Sequence, residues 1–124
     1  MKHLAITLLL LTVCAAGIAQ QKDFVKGADV GFLTGQERRC VMFHDRQGQE
    51  RECLELLKNA YGLSAIRMRV WVNPKNGTND KNELLAMAQR AKALGMDLMV
   101  DFHYADSWAD PSQQPIPAAW KGHS

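Results

Sequence analysis

The stretch Ala65, Ile66, Arg67, Met68, Arg69, Val70, Trp71, Val72, Asn73 alternates without a break. Side chains of a strand point to opposite faces in turn, so Ile66, Met68, Val70 and Val72 share one face and Arg67, Arg69, Trp71 and Asn73 share the other. Two guanidinium groups cannot lie bare in an apolar core, because each stays charged and needs acceptors. They are expected to face carboxylates or a ligand. Pro74 ends the strand, and Asn76 with Gly77 reads as a turn.

On either side, helical spacing flanks this strand. Cys53, Leu54, Leu57, Ala60 and Tyr61 recur as the buried stripe of a helix expected over 50–61, with a turn before it at Asp45 to Gly48 and Gly62 as its C-terminal cap. Downstream, Asp80 and Glu83 read as a capping box opening a helix to Leu94, with Leu84, Leu85, Ala88, Ala91 and Leu94 as its stripe and Gly95 closing it. A third strand follows, with Leu98, Val100 and Phe102 facing one way and Met99, Asp101 and His103 the other. Upstream lies a first short strand, in which Ala28, Val30 and Phe32 oppose an inward Asp29.

Strands alternating with helices at about thirty residues per unit imply crossovers and a parallel sheet. A doubly wound sheet would want both faces apolar. One polar face per strand instead fits the inside of a (β/α)8 barrel, whose ligand groups gather at the C-terminal strand ends. A whole barrel needs roughly 250 residues. The 124 residues here therefore read as an α/β fold, about three βα units forming the N-terminal portion of a TIM barrel.

The start of the chain has a different character. Met1, Lys2 and His3 precede the apolar run Leu4 to Val13 and small residues up to Ala19, which is the pattern of a cleaved signal peptide over 1–19. Removing Lys2 takes the 15 basic residues to 14 against 13 acidic, so a polyanion such as nucleic acid is not an expected partner. A secreted or periplasmic product with no membrane anchor after cleavage is expected. Cys40 and Cys53 remain, and free thiols are favoured over a bridge.

Beyond the third strand the chain reads Asp101, Phe102, His103, Tyr104, Ala105, Asp106, Ser107, Trp108, Ala109, Asp110, Pro111. Carboxylates and imidazole hydrogen-bond hydroxyl groups, and an indole face packs on the C–H face of a sugar ring. This is the mixture expected at the rim of a carbohydrate site. Asp101 and His103 also have the spacing of a metal pair, but His44 and His123 stand in unrelated contexts and no metal is assigned. Arg67 has a competing reading as a structural ion pair with Asp29 or Asp101. Trp108 reads as a sugar platform, Trp120 as a plug under the loop, and Trp71 as either.

The motifs Gly27 to Val30, Ile66 to Pro74, Arg90 to Met96, Asp101 to Pro111 and Pro117 to Trp120, in that order, resemble glycoside hydrolase family 53, the arabinogalactan endo-β-1,4-galactanases. The resemblance implies a retaining barrel glycosidase that acts on β-1,4-galactan or arabinogalactan without a cofactor. It implies substrate contacts at Asp29, Arg67, Trp71, Asn73, Asp101, His103, Asp106 and Trp108, with Arg67 beside the nucleophile. Gly31 and Phe32 depart from the family's usual Ser-Trp, and Ala105 and Ser107 from its Ser and Thr. The family's two catalytic glutamates end the fourth and seventh strands, whereas Glu37, Glu50, Glu52, Glu55 and Glu83 end none of the strands expected here, so no catalytic residue is assigned. The chain is thus expected to be the N-terminal part of such an enzyme over 20–124, inactive alone and prone to association. The alternative is a non-catalytic glycan-binding or vestigial domain, and an Asn-Glu pair ending a fourth strand in the coding sequence past Ser124 would decide for the enzyme.

Overall fold

The computed structural model describes residues 24–123, so the leader expected over 1–19 lies outside the described residues. The elements in order are β1 (Gly27–Asp29), α1 (Leu33–Glu37), β2 (Phe43–His44), β3 (Glu50–Arg51), α2 (Cys53–Tyr61), β4 (Ala65–Val70), α3 (Lys81–Ala93), β5 (Asp97–Phe102) and a 3-10 turn (Ala118–Trp120). β1, β4 and β5 form one parallel sheet in that order, with Asp29 beside Arg67 and Arg69 beside Asp101 in register. This is the expected partial α/β fold with parallel strands.

The aliphatic face of the sheet closes against the helices. Ile66 and Met68 of β4 meet Leu54 of α2 and Met87 and Ala91 of α3 in one cluster, joined by Val30, Leu33 and Met96. Each such side chain removed from water contributes about 1.5–3 kcal/mol. Both long helices carry their signals: the Glu52 carboxylate accepts the Glu55 N–H at 2.7 Å and the Asp80 carboxylate accepts the Glu83 N–H at 2.8 Å. Gly62 closes α2 at φ 67°, a left-handed conformation that glycine adopts without Cβ strain.

Four details depart from the sequence reading. Glu50 and Arg51 are not helical: they pair with His44 and Phe43 in a hairpin around the expected turn, whose Asp45 side chain accepts the Gln47 and Gln49 N–H groups at 3.0 and 2.9 Å. Helix α2 therefore starts at Cys53, and Ala60 and Tyr61 at its far end are exposed rather than in the stripe. On α3 the buried face runs through Glu83, Met87 and Ala91, so Leu85 points outward. Phe32 is not buried with Val30, because β1 stops at Asp29 and the chain turns into α1, whose Leu33 takes the core position.

Glu83 explains the shift of the α3 face. Its carboxylate does not return to the Asp80 N–H as in a reciprocal capping box. It is buried, accepting the Thr34 hydroxyl and Arg38 Nη2, both at 2.6 Å, and the Asn79 N–H. A buried carboxylate needs such donors, and here they tie α1 to α3. Arg90, farther along α3, donates to Glu37 Oε2 and Oε1 at 3.0 and 2.7 Å and also to Glu52, joining α1, α2 and α3. Among the described residues no helix is long and apolar enough to cross a membrane.

Candidate functional site

The polar face of the sheet is organised by one guanidinium. Arg67 Nη1 donates to Asp29 Oδ2 and Arg67 Nη2 to Asp101 Oδ2, so the middle strand is tied to both neighbours. His103 Nε2 lies 2.8 Å from the same Asp101 oxygen, which extends the row to the end of β5. The other Asp29 oxygen accepts the Gly31 N–H at 2.9 Å and Arg69 Nη2 at 3.2 Å. The expectation that both arginines face carboxylates holds for each of them.

Burial by itself would raise the Asp29 carboxyl, but the Gly31 N–H and the charges of Arg69 and Arg67 outweigh it and hold the group below its ordinary 3.8. Positive charge on the face is matched by this means. Arg67 and Arg69 meet Asp29 and Asp101, leaving a network whose outer atoms still reach solvent.

Next to this row stands an aromatic cluster. The Arg69 guanidinium carbon lies 4.5 Å from the ring centroids of both Phe32 and Trp108, which are 6.4 Å from each other, so the cation caps a tilted aromatic pair. Trp108 also meets Trp71 edge-on at 5.4 Å and His103 at 5.9 Å. Trp71 is 8% exposed and Trp108 58%, so one indole is a wall and the other presents a face to solvent. Trp120 packs near Tyr104 instead, at 6.1 Å.

Asp106 has a bracing position. Its Oδ1 accepts the Asn73 N–H at 3.0 Å and its Oδ2 the Ala118 N–H at 2.8 Å, joining the loops after β4 and β5. Asn73 is itself exposed beside it. The face thus brings together Asp29, Arg67, Trp71, Asp101, His103 and Trp108, with Asn73 and Asp106 one step outward. Two hollows flank it. One of about 610 Å³ is lined by Phe32, Trp71, Asn79, Asp106 and Trp108 among others, and one of about 410 Å³ by Asp101, His103, Tyr104 and Asp110 among others.

Sequence reasoning did not include Arg69, Phe32 or Asn79 in the site. Arg69 carried a usable signal, since it shares a strand face with Arg67. Phe32 carried one only through the resemblance, as the position where the family has a Trp, and Asn79 carried none, because its placement follows from a turn that periodicity does not disclose. Among the described residues, no three His, Cys, Asp or Glu side chains are disposed to hold a metal ion. Cys40 is exposed and Cys53 half-buried, both as free thiols. Burial, then the nearby Glu52 and Glu37 charges, push the Cys53 thiol up, which makes it a poor nucleophile.

Comparison with known proteins gives one consistent result. The model of glycosyl hydrolase family 53 matches residues 25–124. The chain is 38% identical to an endo-beta-1,4-galactanase of Bacillus subtilis, over 80% of this chain and 25% of that protein. It is 42% identical to a probable arabinogalactan endo-beta-1,4-galactanase A of Aspergillus terreus, over 77% of this chain and 27% of that one. Among solved structures, the family 53 catalytic domain of Ignisphaera aggregans superposes with a TM-score of 0.75 at 36% identity, covering 82% of this chain and 30% of that chain. The chain spans between a quarter and a third of the length of these relatives.

Proposed function

The chain belongs to glycosyl hydrolase family 53, and from that premise we propose that it is the N-terminal part of the (β/α)8 barrel of a secreted or periplasmic arabinogalactan endo-β-1,4-galactanase, carrying groups that position the sugar chain. The observation that carries this reading is the row Asp29, Arg67, Asp101 and His103 across three adjacent parallel strands, beside the exposed face of Trp108. A hydroxyl-rich ligand finds carboxylate and imidazole partners there and a ring to stack on. No cofactor, nucleic acid or membrane enters the reading.

Chemistry on the glycosidic bond needs two carboxyl groups about 5 Å apart, one as nucleophile and one as acid/base. Glu37 ends α1 against Arg90, Glu50 lies in the hairpin, Glu52 and Glu55 open α2, and Glu83 is buried on α3. None of these stands at the end of a parallel strand. Asp29 and Asp101 do, but both are engaged by Arg67. The chain's own contribution is therefore to hold substrate and, through Arg67, to favour the ionised form of a nearby carboxylate. On its own it should release no galactose oligomers from β-1,4-galactan. That placement of the glutamates is also the observation favouring a second reading, a glycan-binding domain without catalysis.

Titrating the chain with β-1,4-galactotetraose while following tryptophan fluorescence tests the reading. A saturable change, weakened about tenfold in Trp108→Ala, is expected, because a stacked ring contributes about 1–1.5 kcal/mol. If Trp108→Ala binds unchanged but melts earlier, the indole is a plug. In a longer enzyme bearing this segment, His103→Ala or Asp101→Ala should lower kcat/KM by about ten- to a hundredfold, the value of a hydrogen bond to a charged group. The same substitutions would leave hydrolysis untouched if the row were merely structural.

A further inference from the structure

We infer that Arg69 is a positioning residue for the sugar platform, setting the place of the Trp108 ring, and that Gly31 is the residue that leaves room for it. The inference rests on the reading of Trp108 as the ring on which galactan stacks. Arg69 belongs to β4, the middle strand, which is hydrogen-bonded on both sides, and it is 4% exposed. Trp108 and Phe32 lie in the segments after β5 and β1 and are 58% and 56% exposed. A ring on a loop holds a ligand in register only when a rigid element fixes it. Here that element is β4, whose guanidinium lies over both rings, its carbon 4.5 Å from each centroid.

A cation shielded from water is drawn to a ring face more strongly than one in solvent, so the burial of Arg69 strengthens this contact. Trp71 and His103 meet the indole edge-on, whereas Arg69 is the cation over its face among the described residues. It occupies one face, and the exposure that remains is what a sugar can reach. The guanidinium is held in turn. Arg69 Nη2 donates to Asp29 Oδ1 at 3.2 Å, and the same oxygen accepts the Gly31 N–H at 2.9 Å. Gly31 is what this packing demands, because a Cβ there would stand 2.9 Å from Arg69 Nη2 and 3.1 Å from its Cζ, closer than atoms in van der Waals contact. A side chain at that position displaces the guanidinium, and the tip of a long side chain yields without disturbing the backbone.

Titration of the full chain with β-1,4-galactotetraose, with near-UV circular dichroism as a second readout, tests this. Arg69→Lys keeps the charge but exchanges a flat group for a compact ammonium that cannot lie across two rings. Gly31→Ala keeps Arg69 itself and moves only its tip. Each should retain the far-UV circular dichroism of the parent and weaken galactotetraose about fivefold. Each should also alter the near-UV signal of Trp108, read as the difference between a protein and its Trp108→Ala counterpart. In the Trp108→Ala background neither should weaken binding further, because a residue that acts through the indole then has nothing left to position. If Arg69→Lys fails to fold, Gly31→Ala decides. Either folded variant binding as the parent does, an unchanged Trp108 signal, or losses that multiply with that of Trp108→Ala would overturn the role of Arg69 and leave the proposed function standing. A parent that binds no galactotetraose would remove the platform and with it both readings.

Discussion

The two faces of β4 carry equal numbers of side chains and are stabilised in opposite ways. On one, Ile66 and Met68 are buried by Leu54, Met87 and Ala91, all within the chain, and nothing further is required. On the other, Arg67 and Arg69 are held by Asp29 and Asp101, and the pairs stay partly open to solvent. Burial without direction built the first face, while the second needed each charge placed against its opposite. The lesson is that the helix side explains why the segment folds, whereas the charged side is the one that keeps polar groups open to solvent.

The contrast is broken most severely from the apolar side. Met68→Ala empties a fully buried position and should cost about 2–5 kcal/mol, read as a lower urea midpoint by circular dichroism. Glu83→Ala comes next, at about 1.5–3 kcal/mol, because it strips the Asn79 N–H, the Thr34 hydroxyl and Arg38 of their buried acceptor. A loss as large as that of Met68→Ala would show that α1 depends on this latch alone. Asp29→Asn should cost only about 0.5–1 kcal/mol near neutrality, since the pairs are part-exposed and screened.

The pH dependence of that last variant sharpens the comparison. Asp29 is held below its ordinary 3.8 in the fold, so its stabilisation is present above 3.8 and is lost as pH falls through the lower folded value. Parent stability should therefore drop on acidification below about 3.8, and the Asp29→Asn curve should be flatter over the same window. Equal slopes would mean that other carboxylates, such as the likewise depressed Glu52, carry the acid limb. Smallest of all is Leu85→Ala on α3: the side chain is exposed, and a change within about 0.5 kcal/mol is expected in the same urea titration.

Much of this contrast was legible in the residues. Strict alternation from Ile66 to Val72 separated the two faces before any coordinates, and Gly62 and Asp80 marked helix ends through backbone chemistry that acts locally. Legibility failed where tertiary contacts decided. A five-residue helix with Gly35 inside it has no periodicity to detect, so α1 and the displacement of Phe32 were invisible. Glu83 follows Asp80 at capping-box spacing, yet its carboxylate serves Thr34 and Arg38, 49 and 45 residues away. Leu85 outranks Met87 in hydrophobicity, but the buried Glu83 fixes the rotation of α3 and turns Met87 inward. In the site, Asp29, Arg67 and Asp101 were recognisable as a set because strand faces predict partners, whereas the contact of Arg69 with Phe32 and Trp108 joins three separate segments.

The double grip of Asp106 has a mechanical consequence. One carboxylate holds the Asn73 and Ala118 N–H groups, and the neighbouring Ala105 carbonyl takes the Val72 N–H at 2.9 Å. The two loops are consequently hinged on a common pin and share one degree of freedom where separate loops would have two. Trp108 lies two residues beyond that pin, so a shift of the loop backbone at Asp106 that carries the indole with it also pulls on Asn73. A displacement of the backbone at Asp106 does work on both loops at once, and the stiffness it meets is that of the linkage and not of either loop alone.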